Sequence, residues 1–230
     1  WTTDFLHAER RKNPGFFAAQ YLNNPWHNPD ASFQPEDFIY TDAVPQDVTK
    51  ILTSDIAWKD PHERMIERGG DYNVFNVACH QQATGKVYVT RIERGRWTQG
   101  EWGDMLVKIL RSEREPKDRK WLGPAIPVSR MTYEELRSGA KGALKESVRA
   151  SCSRWNELAP ALIVAPRSNK KDDKEVRIKS AAAYFQNHQV IFARPCKQTA
   201  FNHDCAECRG FQILRSELLK LGTTLYDDAA

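Results

Sequence analysis

Three consecutive strand-like segments near the middle of the chain constrain the fold more than any other feature. Residues 48–54 predict a strand with Val48, Ile51 and Leu52 as its apolar residues, and residues 72–79 and 85–92 each alternate with period two. A turn signal at Thr84 and Gly85 separates the second segment from the third. This pattern predicts an antiparallel meander of three β-strands.

After the meander, helical and strand patterns alternate. Thr98, with Glu101 three residues later, makes a capping box at the start of an amphipathic helix. Residues 161–165 are wholly apolar, which predicts a strand buried in the middle of a sheet. Together the segments predict an α/β fold whose mixed sheet is flanked by helices. The other predicted elements are strands over 126–134 and 190–193 and helices over 140–155, 173–188 and 211–221.

Residues 1–45 differ from the rest of the chain. Two short helical patterns, 5–11 and 16–22, precede a turn-rich stretch that two prolines interrupt. We therefore predict an N-terminal arm or linker over 1–45, packed by its aromatic side chains, and one domain over 46–230. Since the chain starts without Met and stops at Ala230 inside a helical pattern, we expect an excised part of a longer protein.

The composition limits the classes of function. With 40% hydrophobic and 28% charged residues, the chain has the composition of an ordinary soluble globular domain. No apolar run approaches the roughly 18–20 residues of a membrane span, so no membrane partner is expected. The net charge is only +4, so affinity for DNA would depend on clustered basic residues. Five cysteines, an odd number, favour a reducing compartment over a disulfide framework.

Carboxylates stand at the predicted ends of strands. Asp55 ends the first strand, and Asp227 and Asp228 stand close to the C-terminus. Another strand ends at Glu134 or at its neighbour Glu135, a choice that the pattern leaves open. Like charges gathered at neighbouring strand ends are typical of sites where two divalent ions clamp the attacking and leaving oxygens of a phosphodiester. The alternative is that these acids cap loops and helices.

Five segments, in order, carry a family resemblance. They are residues 17–25, Asp55 with the Gly-Asp-Tyr of 70–72, residues 88–96 with the helix start at 98–101, residues 173–192, and the ending Leu-Tyr-Asp-Asp-Ala-Ala of 225–230. Glu134 to Gly139 also has a matching Glu-x-x-x-x-Gly spacing. These segments resemble the C-terminal nuclease domain of the large terminase subunit of tailed bacteriophages, the DNA-packaging motor protein.

The resemblance implies an RNase H-like mixed sheet, in which an antiparallel meander leads into α/β crossovers. It implies a hydrolase, a divalent-metal-dependent DNA endonuclease that cleaves concatemeric double-stranded DNA during viral genome packaging. Two Mg²⁺ or Mn²⁺ ions are the implied cofactors, and Asp55, Glu134 and Asp227 the implied catalytic residues. The implied metal ligands are Asp55, Glu134 (Glu135 in the alternative register), Asp227, Asp228 and, as an outer ligand, Asp71.

The resemblance also implies a motor. The arm over 1–45 would connect to an ATPase domain of the same protein, since the chain lacks the phosphate-binding Gly-x-x-x-x-Gly-Lys-Ser/Thr motif. Portal and small terminase subunit are the implied partners. The implied location is the host cell cytoplasm, at the viral procapsid and not in the mature virion.

Basic residues are candidates for contacts with DNA phosphates, which carry no sequence information. Lys174 and Arg177 lie one helical turn apart, so one helix face presents both. The loop with Arg167, Lys170 and Lys171 follows a predicted strand, and we expect it at the sheet edge near the acids. Other basic clusters, most of them expected to be solvated surface, are Arg91, Arg94 and Arg96, and then Arg111, Arg114, Lys117, Arg119 and Lys120.

A second group of potential ligands lies between the last strand and the last helix. Cys196, His203, Cys205 and Cys208 could bind a tetrahedral structural Zn²⁺, or could be buried thiols in an inserted loop. Two other functions therefore stay open. One is another RNase H-like nuclease of the resolvase or transposase type, and the other is a zinc-stabilised module that binds DNA or portal without catalysis.

Overall fold

The computed structural model describes residues 2–12, 17, 21, 32–56, 72–115, 123–134, 143–165, 173–193 and 206–220. Within these residues no helix is long and apolar enough to cross a membrane. The elements, in chain order, are α1 (Thr3–Lys12), a 3-10 helix (Pro35–Asp37), β1 (Ile39–Thr41), β2 (Thr49–Asp55), β3 (Asn73–Gln81), β4 (Lys86–Gly95), α2 (Gln99–Arg114), β5 (Arg130–Glu134), α3 (Ala143–Arg154), β6 (Ala161–Ala165), α4 (Asp173–Gln186), β7 (Val190–Ala193) and α5 (Ala206–Lys220). Of the helix predicted over 16–22, only Phe17 and Tyr21 are described, and their rings stack at 4.9 Å.

Seven strands form one mixed sheet in the order β1-β7-β4-β3-β2-β5-β6. The antiparallel meander is confirmed, because β2 pairs with β3 and β3 with β4 in antiparallel fashion. On the other side of β2, β5 and then β6 add in parallel. A meander whose first strand borders two successive parallel strands has the strand order of the RNase H-like fold. The predicted fold class is thus confirmed.

Helices α2 and α3 cover one face of the sheet. Leu52 of β2 and Phe75 of β3 are fully buried against Leu106 of α2 and Val148 of α3. The ring of Trp102 packs 5.2 Å from that of Phe75. Burial of a Leu or Phe side chain contributes about 1.5–3 kcal/mol, so this layer is a principal source of stability.

Helix α2 begins where the sequence predicts. The Thr98 amide donates to a Glu101 carboxylate oxygen at 2.8 Å, and the Glu101 amide donates to Thr98 Oγ1 at 3.4 Å. The side-chain amide of Asn73 donates to the Trp97 carbonyl at 3.1 Å. Because Asn73 opens β3, this bond ties the entry of α2 to the start of the neighbouring strand.

Helices α4 and α5 pack on the opposite face. Phe192 of β7 contacts Phe185 of α4 at 6.1 Å and Phe211 of α5 at 5.8 Å between ring centroids. Phe33 and Phe38, from the segment predicted as an arm, are buried in the same cluster. Directly after Phe38, β1 pairs in parallel with β7. The sequence pattern did not predict β1. Residues 33–41 therefore contribute to this core and sheet.

Strand β6 corrects one prediction. Its apolar sequence predicted a place in the middle of the sheet, which is wrong: among the described residues β6 lies at the edge and pairs only with β5. Ala161 is exposed, and Ile163 is 40% exposed. An apolar run specifies a strand, but the crossover through α3 decides which side of β5 it joins.

A buried ion pair lies at the opposite end of β2 from Asp55. Lys50 is fully buried, and its Nζ donates to Glu113 Oε2 and to the Pro124 carbonyl, both at 2.7 Å. The other carboxylate oxygen of Glu113 lies 3.6 Å from Nη1 of Arg91, which is also buried. The cluster joins β2, β4, α2 and the segment before β5. Removing one member would leave a buried charge without its partner.

We predict that Glu113→Gln lowers the free energy of unfolding by about 3–5 kcal/mol, because it leaves the Lys50 ammonium buried without a counter-charge. Urea denaturation followed by circular dichroism measures this change. Glu115→Gln is the matched control: Glu115 pairs with Arg114 at 3.1 Å on the exposed surface, and its loss should cost about 0–1 kcal/mol. Equal losses in the two variants would contradict a special role for the buried pair.

Candidate active site

Asp55 occupies the last position of strand β2, which lies between β3 and β5. Its Cα partner on β3 is Val74, whose partner on β4 is Arg94, so these three residues form one row across the sheet. Side chains alternate along a strand, and Ser54 is buried toward α2 and α3 whereas Asp55 is exposed. The Asp55 carboxylate therefore lies on the α5 side of the sheet, accessible to solvent.

Glu134 is level with Asp55 on the neighbouring strand. The parallel pairing of β2 with β5 ends at Ser54 and Tyr133, and the next residues are Asp55 and Glu134. Adjacent strands are about 4.8 Å apart, so the two acids occupy neighbouring backbone positions. Glu134 closes β5 through its pairing with Ala165. Of Glu134, the backbone is described; Glu135 lies outside the described residues.

The strand connections open the sheet at this point. From β2 the chain goes to β3 on one side, and from β5 it goes through α3 to β6 on the other side. In open α/β sheets, ligands bind in the crevice outside the carboxyl ends of neighbouring strands whose connections diverge. The two acids stand at that crevice.

A cleft of about 290 Å³ opens between the sheet and α5 at the same place. Asp55, Val74 and Arg94 line it from the sheet, and Leu214 and Glu217 line it from α5. Nη1 of Arg94 donates to Oε1 of Glu217 at 2.8 Å across the cleft. The cleft thus combines apolar walls with charged groups of both signs.

The close approach of α5 to β4 shapes the cleft. Gly210 lies against Ile92, where an added Cβ would be 2.4 Å from the Ile92 carbonyl oxygen. From Gly210 beside Ile92, the helix runs to Glu217 beside Arg94. This direction takes the C-terminal end of α5 toward the edge of the sheet that carries Asp55.

The structure describes some of the remaining predicted site residues and not others. Lys174 and Arg177 lie in the first half of α4, where the backbone alone is described. Cys208, the one described member of the zinc set, is buried in α5. In the described part of the chain, no three His, Cys, Asp or Glu side chains gather in a form that could hold a metal ion. The predicted residues outside that part are Asp71, Lys117, Arg119, Lys120, Glu135, Arg167, Lys170, Lys171, Cys196, His203, Cys205, Asp227 and Asp228.

The basic clusters divide by burial and partner. Arg91, one of the basic candidates for DNA contact, is buried, and its guanidinium donates to Glu93 at 2.8 Å. Arg111 and Arg114 both pair with Glu157 on the α2–α3 side. Because side chains alternate along β4, Arg91 points toward α2 on one face of the sheet, and Arg94 points into the cleft beside α5 on the other. A count of basic residues does not show this difference.

Two cleft residues were not identified from the sequence. Tyr72 lies under the guanidinium groups of Arg94 and Arg96, and Glu217 pairs with Arg94. Glu217 is 123 residues from Arg94 along the chain, so no local pattern connects them. For Tyr72, its place beside the strand start was the one available signal.

Solved terminase nuclease domains resemble this structure. The nuclease domain of the P22 large terminase is 10% identical and covers 73% of this chain and 74% of its own, with a TM-score of 0.44. The large terminase nuclease of thermophilic phage G20c is 14% identical, with coverage of 70% and 72% and a TM-score of 0.40. The human cytomegalovirus terminase nuclease domain, Mn soaked and inhibitor bound, is 10% identical, with coverage of 81% and 87% and a TM-score of 0.47.

These solved domains are of the kind that the sequence motifs resemble. The G20c nuclease has also been solved with bound cobalt and with bound magnesium. At such low identities and TM-scores, the matches assign no residue of this chain. No protein-family model and no curated protein sequence matches the chain.

We predict that Gly210→Ala destabilises the protein by about 1–3 kcal/mol, because the new methyl group forces α5 away from the Ile92 backbone. Thermal unfolding measures the loss. Gly100→Ala is the matched control, since nothing lies within 4 Å of an added Cβ in the first turn of α2. Alanine is the better helix former, so the control should be neutral or stabilising. Similar losses in both variants would show that the close contact is not the cause.

Proposed function

We propose that this chain is a divalent-metal-dependent endonuclease that hydrolyses phosphodiester bonds of double-stranded DNA during viral genome packaging. The observation that supports this proposal best is the position of Asp55 and Glu134, level with each other at the ends of adjacent parallel strands. Asp55 is exposed beside an open cleft. Two acids placed together at the open end of a sheet repel each other unless a cation lies between them.

The residue types suit Mg²⁺ or Mn²⁺. Both ions take oxygen ligands, and Mg²⁺ is commonly bound through one or two protein carboxylates with water and substrate phosphate completing the shell. Asp55 and Glu134 supply two carboxylates from neighbouring backbone positions. Two such ions, when bound, would activate water and neutralise the charge of the leaving oxygen.

The C-terminal acids are proposed to complete the site. Helix α5 ends at Lys220, beyond Glu217 at the cleft, and Asp227 follows seven residues later. An extended chain spans about 3.4 Å per residue, so seven residues reach up to about 24 Å. We expect this length to bring Asp227 or Asp228 to the cleft that Asp55 and Glu217 line.

The protein residues have separate roles in this proposal. Asp55 and Glu134, with Asp227 or Asp228, orient the ions against the scissile phosphate. Lys174 and Arg177, near the start of α4, and the loop with Arg167, Lys170 and Lys171 would hold neighbouring phosphates. Such contacts act on the backbone of DNA, so cleavage would show little sequence preference.

The biological setting is part of the same proposal. The domain would cut concatemeric DNA for an ATPase domain of the same protein, with portal and small terminase subunit as partners at the procapsid in the host cytoplasm. The sequence segments that resemble the large terminase subunit support this setting. A structural Zn²⁺ on Cys196, His203, Cys205 and Cys208 stays a prediction; it would stabilise the segment before α5 and take no part in cleavage.

We predict that the 230-residue protein nicks and linearises supercoiled plasmid with Mn²⁺ or Mg²⁺, and that Asp55→Asn lowers the rate by more than about 100-fold. The substitution removes a charged metal ligand but keeps the shape of the side chain. Agarose gel electrophoresis of the plasmid measures the rate, with a chelator as the second control. Asp47→Asn, an exposed aspartate just before the other end of β2, should cut at the wild-type rate.

The outcomes distinguish the open alternatives. Cleavage that survives in Asp55→Asn would contradict the proposed site. DNA binding with no cleavage under any metal condition would favour the non-catalytic binding module. A strong preference for branched DNA over linear duplex would favour the resolvase or transposase type.

The register at the end of β5 gives a further prediction. Glu134→Gln should abolish metal-dependent cleavage, whereas Glu135→Gln should retain it, because Glu134 is the residue level with Asp55. Isothermal titration with Mn²⁺ should show the same order in metal affinity. The reverse order would mean that the strand register slips by one residue at its end, with Glu135 as the ligand.

A further inference from the structure

A pair of arginines stands over one aromatic ring beside the candidate active site. The guanidinium carbon of Arg94 lies 3.9 Å from the centroid of the Tyr72 ring, and that of Arg96 lies 4.7 Å from it. Tyr72 is 38% exposed. Cation–π contact holds both cations in place. Two positive charges on one ring also repel each other, so an anion between or beside them is favoured.

This group, Tyr72 with Arg94 and Arg96, lies in line with the catalytic acid. Arg94 is two strands from Asp55 in the same row across the sheet, about 9.6 Å between backbones, and both residues line the same cleft. A DNA strand whose scissile phosphate is at Asp55 would therefore pass its neighbouring phosphates over this group.

The carboxylate of Glu217 on α5 forms an ion pair with the Arg94 guanidinium in this structure. The Nη1–Oε1 distance is 2.8 Å, and the side chains of Arg94 and Glu217 are 27% and 58% exposed. An exposed ion pair of this kind contributes little to stability. A phosphate can form a bidentate, charge-assisted pair with the same guanidinium, and would replace the carboxylate readily.

We propose that Arg94 and Arg96, held on Tyr72, bind the DNA backbone beside Asp55, and that Glu217 holds Arg94 until a DNA phosphate displaces it. This inference rests on the proposed nuclease function and identifies a phosphate-binding site and a competing carboxylate within it. Arg94 and Arg96 are positioning residues for the substrate, and Glu217 acts as an internal competitor for one of them.

The test is DNA binding without cleavage. A fluorescent 30-base-pair duplex is titrated with the 230-residue protein in chelator, by anisotropy, between 50 and 200 mM salt. Each phosphate contact contributes about 0.9 to the slope of log affinity against log salt, or about threefold in affinity over this range. Arg94→Gln and Arg96→Gln should each lower the slope by about that amount. Arg94→Lys keeps the charge and should keep most of the slope.

Glu217→Gln should change the DNA affinity in the opposite direction. It removes the competitor from Arg94, so DNA binding should become several-fold tighter, whereas Arg94→Gln weakens it. Arg149→Gln is the control: Arg149 is a surface arginine, 55% exposed, that pairs with Glu146 at 3.1 Å on α3, and its loss should leave the slope unchanged. Thermal unfolding of every variant establishes that the proteins are folded.

Each outcome decides the inference. If Glu217→Gln weakens binding as Arg94→Gln does, the pair serves the packing of α5 and the inference is wrong. If Arg94→Gln and Arg96→Gln keep the wild-type slope while wild type binds and cuts DNA, the inference fails and the nuclease function stands. If wild type neither binds nor cuts DNA, both fail.

Discussion

The register of strand β2 is the constraint on which the rest of the structure depends. Between β3 and β5 it places Leu52 in the core under α2 and α3, and it exposes Asp55 at the opposite face. A slip by one residue would turn Leu52 to the other face and bury Asp55. The buried pair of Lys50 with Glu113 opposes such a slip, because a displaced lysine would lose its partner in the interior. The same register that forms the core thus positions the candidate site.

The second feature that shapes the candidate site is the packing of α5 against β4. Gly210 lets the helix backbone approach Ile92 closely, and from there the helix runs along the strand to the edge that carries Asp55. This geometry gives the cleft its wall and brings Glu217 to Arg94. The cleft therefore lies between the sheet edge and one helix, whose close approach to β4 requires the glycine at position 210.

Local patterns predicted the elements well, and they failed where position in the sheet mattered. Period-two alternation identified β3 and β4, and the Thr98 cap located the start of α2, because both signals act within a few residues. The prediction that the apolar run of β6 forms a strand was correct, but the prediction that this strand lies in the middle of the sheet was wrong. The chain crossover, and not the composition, decides which strand β6 pairs with. β1 was missed because three residues carry too short a pattern, and it is stabilised by β7 from the far end of the chain.

Apart from β1 and the short 3-10 helix before it, the sequence by itself determined the types of the described elements, their order, and the acids that end two of the strands. Alternation, caps and turn residues are short-range, so a reader of the chain can recover them without knowing what lies across the sheet. The tertiary structure alone decided that Asp55 and Glu134 share one level, that Arg91 is buried while Arg94 faces the cleft, and that Glu217 meets Arg94. Those facts depend on strand register and on how helices pack against the sheet. The side chains that meet there are far apart in the chain, so no local signal links them.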